Sequence, residues 1–227
     1  MKKATILATG IILFAFSATQ ANVFWSNSSG SGSSFDWQNG QSLYGLFGDP
    51  IFVGDNTFVF FPSNFRAESI NGVSDSVSDR LEFELIAHEG FSFQNIAIVE
   101  YGDYGILGNG QVQVSGGLTV ENLDTTNSLF SNLTATPSMP ATSGQGAWQG
   151  QTQLDIGQID WTRIKITFED DLLAMSGSGS LAFIEKKVLG NAIAFQVTPI
   201  PEPATVITLT IGAIFMLCDS RKKQAAA

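Results

Sequence analysis

Few side chains in this sequence have the chemistry for acid–base or nucleophilic catalysis. The 227 residues contain one histidine, His88, and one cysteine, Cys218. A Ser-His-Asp triad would have to use His88, which stands beside Glu89-Gly90 in a predicted turn, and no Gly-x-Ser-x-Gly elbow accompanies it. A zinc site requires three or four ligands, usually His or Cys. These residues therefore predict neither a hydrolase triad nor a zinc site.

Paired carboxylates are the remaining enzymatic option. Glu82 and Glu84 stand two apart on a predicted strand, so both face the same side, about 6.6 Å apart at their Cα atoms. A glycosidase needs two carboxylates about 5–10 Å apart. Because apolar residues alternate with them in the run Leu81–Leu85, the favoured interpretation is a pair of solvent-facing charges. We therefore expect no enzyme and no catalytic residue.

Acidic loops raise the question of calcium, which prefers several oxygen ligands. Candidate ligands are Glu169-Asp170-Asp171, and Asp49 with Asp55. The favoured interpretation is a set of solvated acidic loops, with no metal and no cofactor. Calcium-assisted ligand binding stays open as a side hypothesis.

Four tryptophans raise the question of carbohydrate binding, because exposed aromatic rings stack on sugars. Trp25, Trp37, Trp148 and Trp161 lie at or near predicted loops and strand starts. Single tryptophans more often pack in a core or at its edge. A sugar site would need two or three of them on one concave face.

The segments that would position these residues are predicted strands. Alternation, β-branched residues and aromatic residues mark Ile51–Val53, Thr57–Phe61, Leu81–Leu85, Phe91–Tyr101, Gln111–Val114, Leu118–Val120, Trp161–Phe168, Leu181–Ile184 and Ala192–Val197. Gly54-Asp55-Asn56 and Gly108-Asn109-Gly110 predict hairpin turns, because Asn and Gly tolerate positive φ. Gly190-Asn191 predicts a further turn.

The remaining segments read as irregular. Ser26–Ser34 and Asn132–Gly150 predict loops, and Asp170–Met175 predicts one helical turn or the edge of a strand. About ten short strands without a sustained helical period predict an all-β fold. We expect an antiparallel β-sandwich, specifically a jelly roll, formed by a single domain over residues 22–198.

The N-terminus has the pattern of a secretory signal peptide. Met1-Lys2-Lys3 is a charged start, and Ala4–Phe16 is an apolar run too short for a typical membrane span. Thr19-Gln20-Ala21 supplies small residues for cleavage after Ala21. Residues 1–21 are therefore predicted to direct export and to be removed.

The C-terminus combines a proline-rich break, a short apolar helix and a basic stop. Pro201, Glu202 and Pro203 precede Ala204–Cys218, which spans about 22 Å against roughly 30 Å of hydrocarbon. Arg221, Lys222 and Lys223 form a positive-inside anchor. The predicted membrane-contacting residues of the helix are Ala204, Val206, Ile207, Leu209, Ile211, Gly212, Ile214, Phe215 and Leu217. A plain single-span anchor is the alternative.

This order of segments resembles the PEP-CTERM sorting signal of Gram-negative envelope proteins. Residues 199–223 carry the resemblance, and residues 224–227 form a short tail. Tyr101–Tyr104 and Ala182–Lys187 are similar to segments of other PEP-CTERM ectodomains. The resemblance implies an exosortase-type membrane transpeptidase as partner, a transient inner-membrane anchor, and delivery to the cell surface or extracellular matrix.

Charge limits the partners of the exported part. Residues 22–203 hold six of the 11 basic residues and 20 of the 21 acidic residues, a formal charge of −14. We therefore expect no nucleic acid among its partners. The function expected is that of a non-enzymatic surface or matrix protein. The alternative is a carbohydrate-binding, lectin-like module, with extracellular polysaccharide as its partner.

Overall fold

The computed structural model describes residues 21–157, 161–187 and 193–201. Those residues form an all-β structure of 15 strands, and they include no helix long and apolar enough to cross a membrane. The predicted signal and tail helices lie outside the described residues. The strands are β1 (Val23–Phe24), β2 (Gly30–Ser31), β3 (Phe35–Ser42), β4 (Ile51–Val53), β5 (Thr57–Phe60), β6 (Arg66–Ile70), β7 (Asp75–Ala87), β8 (Phe91–Leu107), β9 (Gly110–Asn122), β10 (Ser128–Asn132), β11 (Thr134–Thr136), β12 (Gly144–Asp155), β13 (Arg163–Ser176), β14 (Leu181–Lys186) and β15 (Ile193–Pro201).

Two antiparallel sheets contain these strands. Sheet A has the order β1-β3-β7-β13-β9-β10, with β2 also paired to β3. Sheet B has the order β11-β12-β8-β15-β5-β4. Strand β14 pairs with both β6 and the second half of β8. The arrangement agrees with the predicted antiparallel β-sandwich.

Alternating burial along the strands forms the core between the sheets. In β13, Ile164, Ile166 and Phe168 are buried, while the residues between them face outward. Aromatic rings from both sheets meet edge to face in this core. Phe83 of sheet A and Phe195 of sheet B have ring centroids 5.8 Å apart at an interplanar angle of 73°.

One predicted hairpin is confirmed and the other is wrong. Strands β4 and β5 pair across Gly54–Asn56, where Gly54 and Asp55 both have φ of 62°. Gly108–Gly110 also makes a turn, and Gly108 has φ of 84°. However, this turn carries the chain from β8 in sheet B to β9 in sheet A. Turn residues specify the local reversal and leave the hydrogen-bonding partner of each strand open.

The predicted loop at residues 132–150 contains strands, and Asp170–Met175, predicted as one helical turn or the edge of a strand, is part of a strand inside a sheet. Residues 132–150 include β11 and the first half of β12, which pairs with β8 along its whole length. Polar and glycine-rich composition hid the alternating burial of Trp148, Gly150 and Thr152. Asp170–Met175 extends β13, which lies between β7 and β9. Two neighbouring strands there satisfy the backbone, which excludes a helical turn.

The last strand continues past the predicted domain boundary at residue 198. Strand β15 reaches Pro201, and Pro199 and Pro201 lie opposite Phe93 and Phe91 of β8 after a register shift. Pairing with β5 has already ended at Gln196. One edge of β15 is therefore open, which is where a strand tolerates proline. Thr198 and Pro199 are half-buried, and Pro201 is exposed.

Candidate functional site

Most tryptophans of this protein belong to the core. Trp25, Trp148 and Trp161 are at most 4% exposed, so they offer no stacking surface to a sugar. Trp37 is half-buried and packs on Phe52, with ring centroids 4.7 Å apart. The sugar platform considered for the four tryptophans is therefore not formed by them.

Glu82 and Glu84 lie on the outer face of sheet A, as their alternation with buried residues predicts. The amide of Gln41 donates to Glu82 Oε2 at 3.2 Å, and the amide of Gln38 donates to Glu84 Oε2 at 2.7 Å. Lys165 Nζ lies 3.2 Å from Glu82 Oε1. Both carboxylates are thus fixed by neighbouring side chains on a polar sheet surface.

The register of sheet A places six outward residues in one line across six strands, here called the transverse row. Successive pairs are opposite one another in β1, β3, β7, β13, β9 and β10. Directly opposite residues of antiparallel strands share a face. The transverse row consists of Phe24, Gln41, Glu82, Thr167, Thr119 and Phe130. At about 4.8 Å per strand, it spans about 24 Å.

Each end of the transverse row is an exposed aromatic ring. Phe24 is 63% exposed and Phe130 is 61% exposed. Phe24 borders a shallow depression with Gln41 and Glu82. The ring of Phe130 lies over Gly117, where a Cβ atom would come within 2.4 Å of the Phe130 ring. Between the rings lie amide, carboxylate and hydroxyl groups, which donate and accept hydrogen bonds.

The acidic residues considered as calcium ligands form no cluster of three or more metal-binding side chains among the described residues. Glu169 and Asp171 point outward from β13, whereas Asp170 points into the core. Asp49 accepts hydrogen bonds from the backbone N–H and hydroxyl of Ser26. The described part of the chain contains no group of three or more His, Cys, Asp or Glu side chains with metal-binding geometry. A strand replaces the loop that the calcium hypothesis assumed, and alternation places Asp170 on the opposite face from Glu169 and Asp171.

His88 lies in the connection between β7 and β8, as predicted, and its imidazole contacts the carboxyl group of Asp36 at the surface. Its Nε2 lies 2.9 Å from Asp36 Oδ1. The hydrogen bond to Asp36 raises the pKa of His88. The same bond lowers the pKa of Asp36. The other ring nitrogen, Nδ1, lies 3.3 Å from the backbone carbonyl oxygen of Ser33. Neither contact involves a serine hydroxyl, and the His88–Asp36 pair links the β7–β8 turn to β3.

A cluster that the sequence did not reveal lies between the two sheets. Glu100, Asp170 and Lys186, here called the buried triad, have fully buried side chains, and Lys186 Nζ bonds to both carboxylates. Burial, followed by the nearby Glu100 carboxylate, raises the pKa of Asp170 well above its usual range. Burial opposes ionisation of Lys186, but the two carboxylates outweigh it and raise the pKa of the ammonium.

The only sequence signal for the buried triad is charge at inward strand positions. Asp170 follows buried Phe168 at the period of a strand, and Lys186 follows buried Ile184 in the same way. Period-2 alternation would assign both to the core. Their charge predicts a surface position instead, because charged side chains are rarely buried without a partner.

The sorting and signal residues fall mostly outside the described residues. Glu202, Pro203, the apolar helix and the basic stop are not described. Pro201 is the last described residue and ends β15. Ala21, the predicted cleavage position, is exposed two residues before β1.

Comparison with known proteins gives no family. No family model and no curated protein matches the sequence. Among solved structures, TmCBM61 in complex with beta-1,4-galactotriose has a TM-score of 0.27 at 14% identity, covering 80% of this chain and all of that chain. The enzymatically active domain of bacteriophage CBA120 tailspike protein 4 has a TM-score of 0.23 at 11% identity, covering 77% of this chain and 20% of that one. Infectious bursal disease virus, strain Gx, has a TM-score of 0.23 at 10% identity, covering 71% of this chain and 49% of that one. Scores this low carry no argument about function.

Proposed function

We propose that this protein is a non-catalytic extracellular domain that binds an uncharged polysaccharide across the outer face of sheet A. The observation that carries the proposal is the transverse row, with an exposed aromatic ring at each end and hydrogen-bonding groups between. Sugar rings present apolar faces that pack on aromatic side chains and hydroxyl groups that pair with amides and carboxylates. A length of about 24 Å suits several linked sugar units.

The charge of the protein favours a neutral glycan. The segment from residue 22 to residue 203 has a formal charge of −14. Glu82 in the middle of the row is balanced by Lys165 at 3.2 Å and by Arg80 at 3.5 Å. Glu84 and Glu121 add negative charge close to the row. An anionic polysaccharide would be repelled by this surface, whereas a neutral one would not.

Binding of the purified full chain to an array of neutral polysaccharides tests this proposal. Phe24→Ala and Phe130→Ala are each expected to weaken retention about 2- to 10-fold, since an aromatic contact contributes about 0.5–1.5 kcal/mol. Phe61→Ala is the matched control, because Phe61 is 40% exposed and does not belong to the row.

Retention of no neutral glycan, or equal retention by all three variants, would contradict the proposal. Repeating the array with a chelator separates the two forms of the hypothesis. Unchanged binding supports direct contact with the row, and lost binding supports the calcium-assisted form.

We also propose that the chain is exported and sorted to the cell surface or matrix by its C-terminal signal. Support comes from the two terminal segments and from the resemblance to PEP-CTERM signals, with an exosortase-type transpeptidase as the partner. Peptide mapping of the mature protein tests this. We expect an N-terminus at Asn22 and no peptide from Ala204–Cys218. Recovery of the intact tail from the mature protein would argue for a plain membrane anchor.

Finally, we propose that the sandwich has jelly-roll topology. Support comes from the strand orders β6-β14-β8-β12 and β7-β13-β9-β10, in which most successive strands cross to the other sheet. A jelly roll presents broad sheet faces to solvent, which fits binding along a sheet. An experimental structure in which these eight strands pair differently would exclude it.

A further inference from the structure

The buried triad unites an amine and two carboxyl groups in a dry apolar space. Lys186 and Glu100 belong to sheet B, whereas Asp170 belongs to sheet A. Lys186 Nζ bonds to Glu100 Oε2 and Asp170 Oδ2, and all three side chains have no solvent exposure. Gly150, opposite Glu100, leaves space for this carboxyl group, because a Cβ there would lie 2.7 Å from Glu100 Oε1.

Aromatic rings exclude water from the triad. Lys186 Nζ lies 4.9 Å from the ring centroid of Phe65, 5.4 Å from that of Trp148 and 5.8 Å from that of Phe47. Glu100 Oε1 and Asp170 Oδ1 have no hydrogen-bond partner in the described structure. Asp79 lies opposite Asp170 in sheet A, and its carboxylate already accepts hydrogen bonds from the backbone N–H groups of Tyr44 and Leu46.

Three ionised groups in such a space are a costly arrangement. Moving a carboxylate or an ammonium out of water costs several kcal/mol even after relaxation, and an ion pair recovers this only when every lone pair is satisfied. Two carboxyl oxygens of the triad are unsatisfied. Converting charged groups into a neutral amide would remove most of this cost.

We propose that Lys186 and Asp170 join through an intramolecular isopeptide bond that ties sheet A to sheet B, with Glu100 as the proton acceptor. Asp170 reacts as the neutral acid, and the Lys186 ammonium first gives one proton to Glu100. The Nζ lone pair then attacks Cγ of Asp170. A second nitrogen-bound proton and the Asp170 hydroxyl group leave as water, and Glu100 ends as a neutral acid. The reaction needs no oxidant, reductant or cofactor.

The position of each group fits its role in this step. Burial and the Glu100 charge raise the pKa of Asp170, which favours its neutral carboxyl group, the form that an amine can attack. Glu100 bonds the same nitrogen and can take its proton without solvent. Folding therefore brings the amine, the electrophile and the base together and excludes water at the same time.

Peptide mapping of the purified full chain tests the bond. No lysine or arginine lies between Lys165 and Lys186, so trypsin places Asp170 and Lys186 in one peptide. We expect the peptide Ile166–Lys187, one water molecule lighter than its sequence and uncut after Lys186, because an acylated lysine is not a trypsin site. Cyanogen bromide cuts at Met175, between the two residues, and is expected to leave its two fragments joined.

Two variants assign the roles. Glu100→Gln and Asp170→Ala are each expected to restore trypsin cleavage after Lys186 and the unmodified peptide mass. Asp103→Asn is the matched control, because Asp103 lies on the same strand and pairs with surface Lys187. We expect this control to retain the complete mass loss.

The mass of the wild-type tryptic peptide tests the Asp170–Lys186 bond even where a variant fails to fold. A peptide ending at Lys186 with its unmodified mass would overturn the proposal. A link from Lys186 to a peptide containing Glu100 would also overturn it, since Glu100 would then be the electrophile.

Discussion

At the scale of single residues, surroundings decide what each charged side chain of this protein does. Glu82 and Glu100 are the same residue type, and they lie on consecutive strands, β7 of sheet A and β8 of sheet B. Glu82 lies outside sheet A among amide and cationic partners, whereas Glu100 is enclosed between the sheets. The first is suited to hydrogen-bonding a ligand and the second to internal proton transfer.

His88 and Asp36 give a residue-scale prediction about pH. The pKa of His88 is expected above its ordinary value in an NMR titration, and Asp36→Asn is expected to lower it. A raised histidine pKa stabilises the fold below the unfolded value and loses that effect as pH rises through the folded value. Because both side chains are partly exposed, the pair contributes less than about 1 kcal/mol.

Asp49→Asn serves as the control for this titration. Asp49 is an exposed carboxylate that bonds Ser26 and is not hydrogen-bonded to the imidazole. A His88 pKa that moves equally in both variants would exclude a specific pair with Asp36.

At the scale of strands, glycines permit the close contacts that aromatic side chains need. Trp148 of β12 lies over Gly102 of β8, and Phe130 of β10 lies over Gly117 of β9. Each glycine leaves a gap in its sheet that a neighbouring ring fills. The first contact is in the core and the second is on the outer face.

Gly102→Ala is expected to destabilise the protein by about 1–3 kcal/mol, as overpacking of a core does. The added Cβ would lie 2.0 Å from the Glu185 carbonyl oxygen and 2.4 Å from Trp148. Urea unfolding measures the change. Gly146→Ala on the paired strand β12 is the control, because its Cβ would meet only Tyr104 at 3.9 Å. We expect the unfolding free energy of this control to stay within about 0.5 kcal/mol of wild type. Equal losses of unfolding free energy in both variants would contradict a specific need for glycine at position 102.

Gly117→Ala is expected to reduce polysaccharide retention about as much as Phe130→Ala does. The added Cβ would meet the Phe130 ring at 2.4 Å and displace it from the row, while the next backbone contact lies at 3.3 Å. Circular dichroism checks that the fold survives. Unchanged retention by a folded variant would show that the position of Phe130 does not matter for binding.

At the scale of the whole molecule, the two sheets are held by aromatic packing and by the buried triad. Cys218 is the single cysteine of the sequence, so residues 22–203 contain no disulfide. A covalent link between Asp170 and Lys186, 16 residues apart, would close a loop of the size that a disulfide stabilises by about 3 kcal/mol. This link would take the place of a disulfide in a β-sandwich that has no cysteine among residues 22–203.

Glu100→Gln is therefore expected to lower the melting temperature well below that of Asp103→Asn. The loss includes the missing bond and the altered buried charges, and thermal unfolding measures it. A melting temperature equal to that of the control would contradict a stabilising role for the link.

Much of the strand content could be predicted because alternation is a local property of the chain. Leu81–Leu85 lies in β7, Phe91–Tyr101 lies in β8, and the outward position of Glu82 follows from its neighbours. The turn at Gly54–Asn56 could be predicted for the same reason, because positive φ is a property of the turn residues themselves.

The choice of partner strands could not be predicted from such local signals. Gly108–Gly110 forms the expected turn but separates the sheets, because burial of both faces of the core outweighs the local hairpin preference. Residues 144–150 were predicted as part of a loop but lie in β12, because β8 offers them a complete set of backbone partners.

The sequence by itself determined an all-β fold with polar residues on its outer faces, since these depend on residues close together in the chain. Its sorting-type terminal segments stay a prediction. Only the tertiary structure decided that Phe24 and Phe130 end one row, and that Lys186 meets Glu100, 86 residues away. Both depend on the register and stacking of the sheets. Those are set by the packing of the whole core rather than by any single segment.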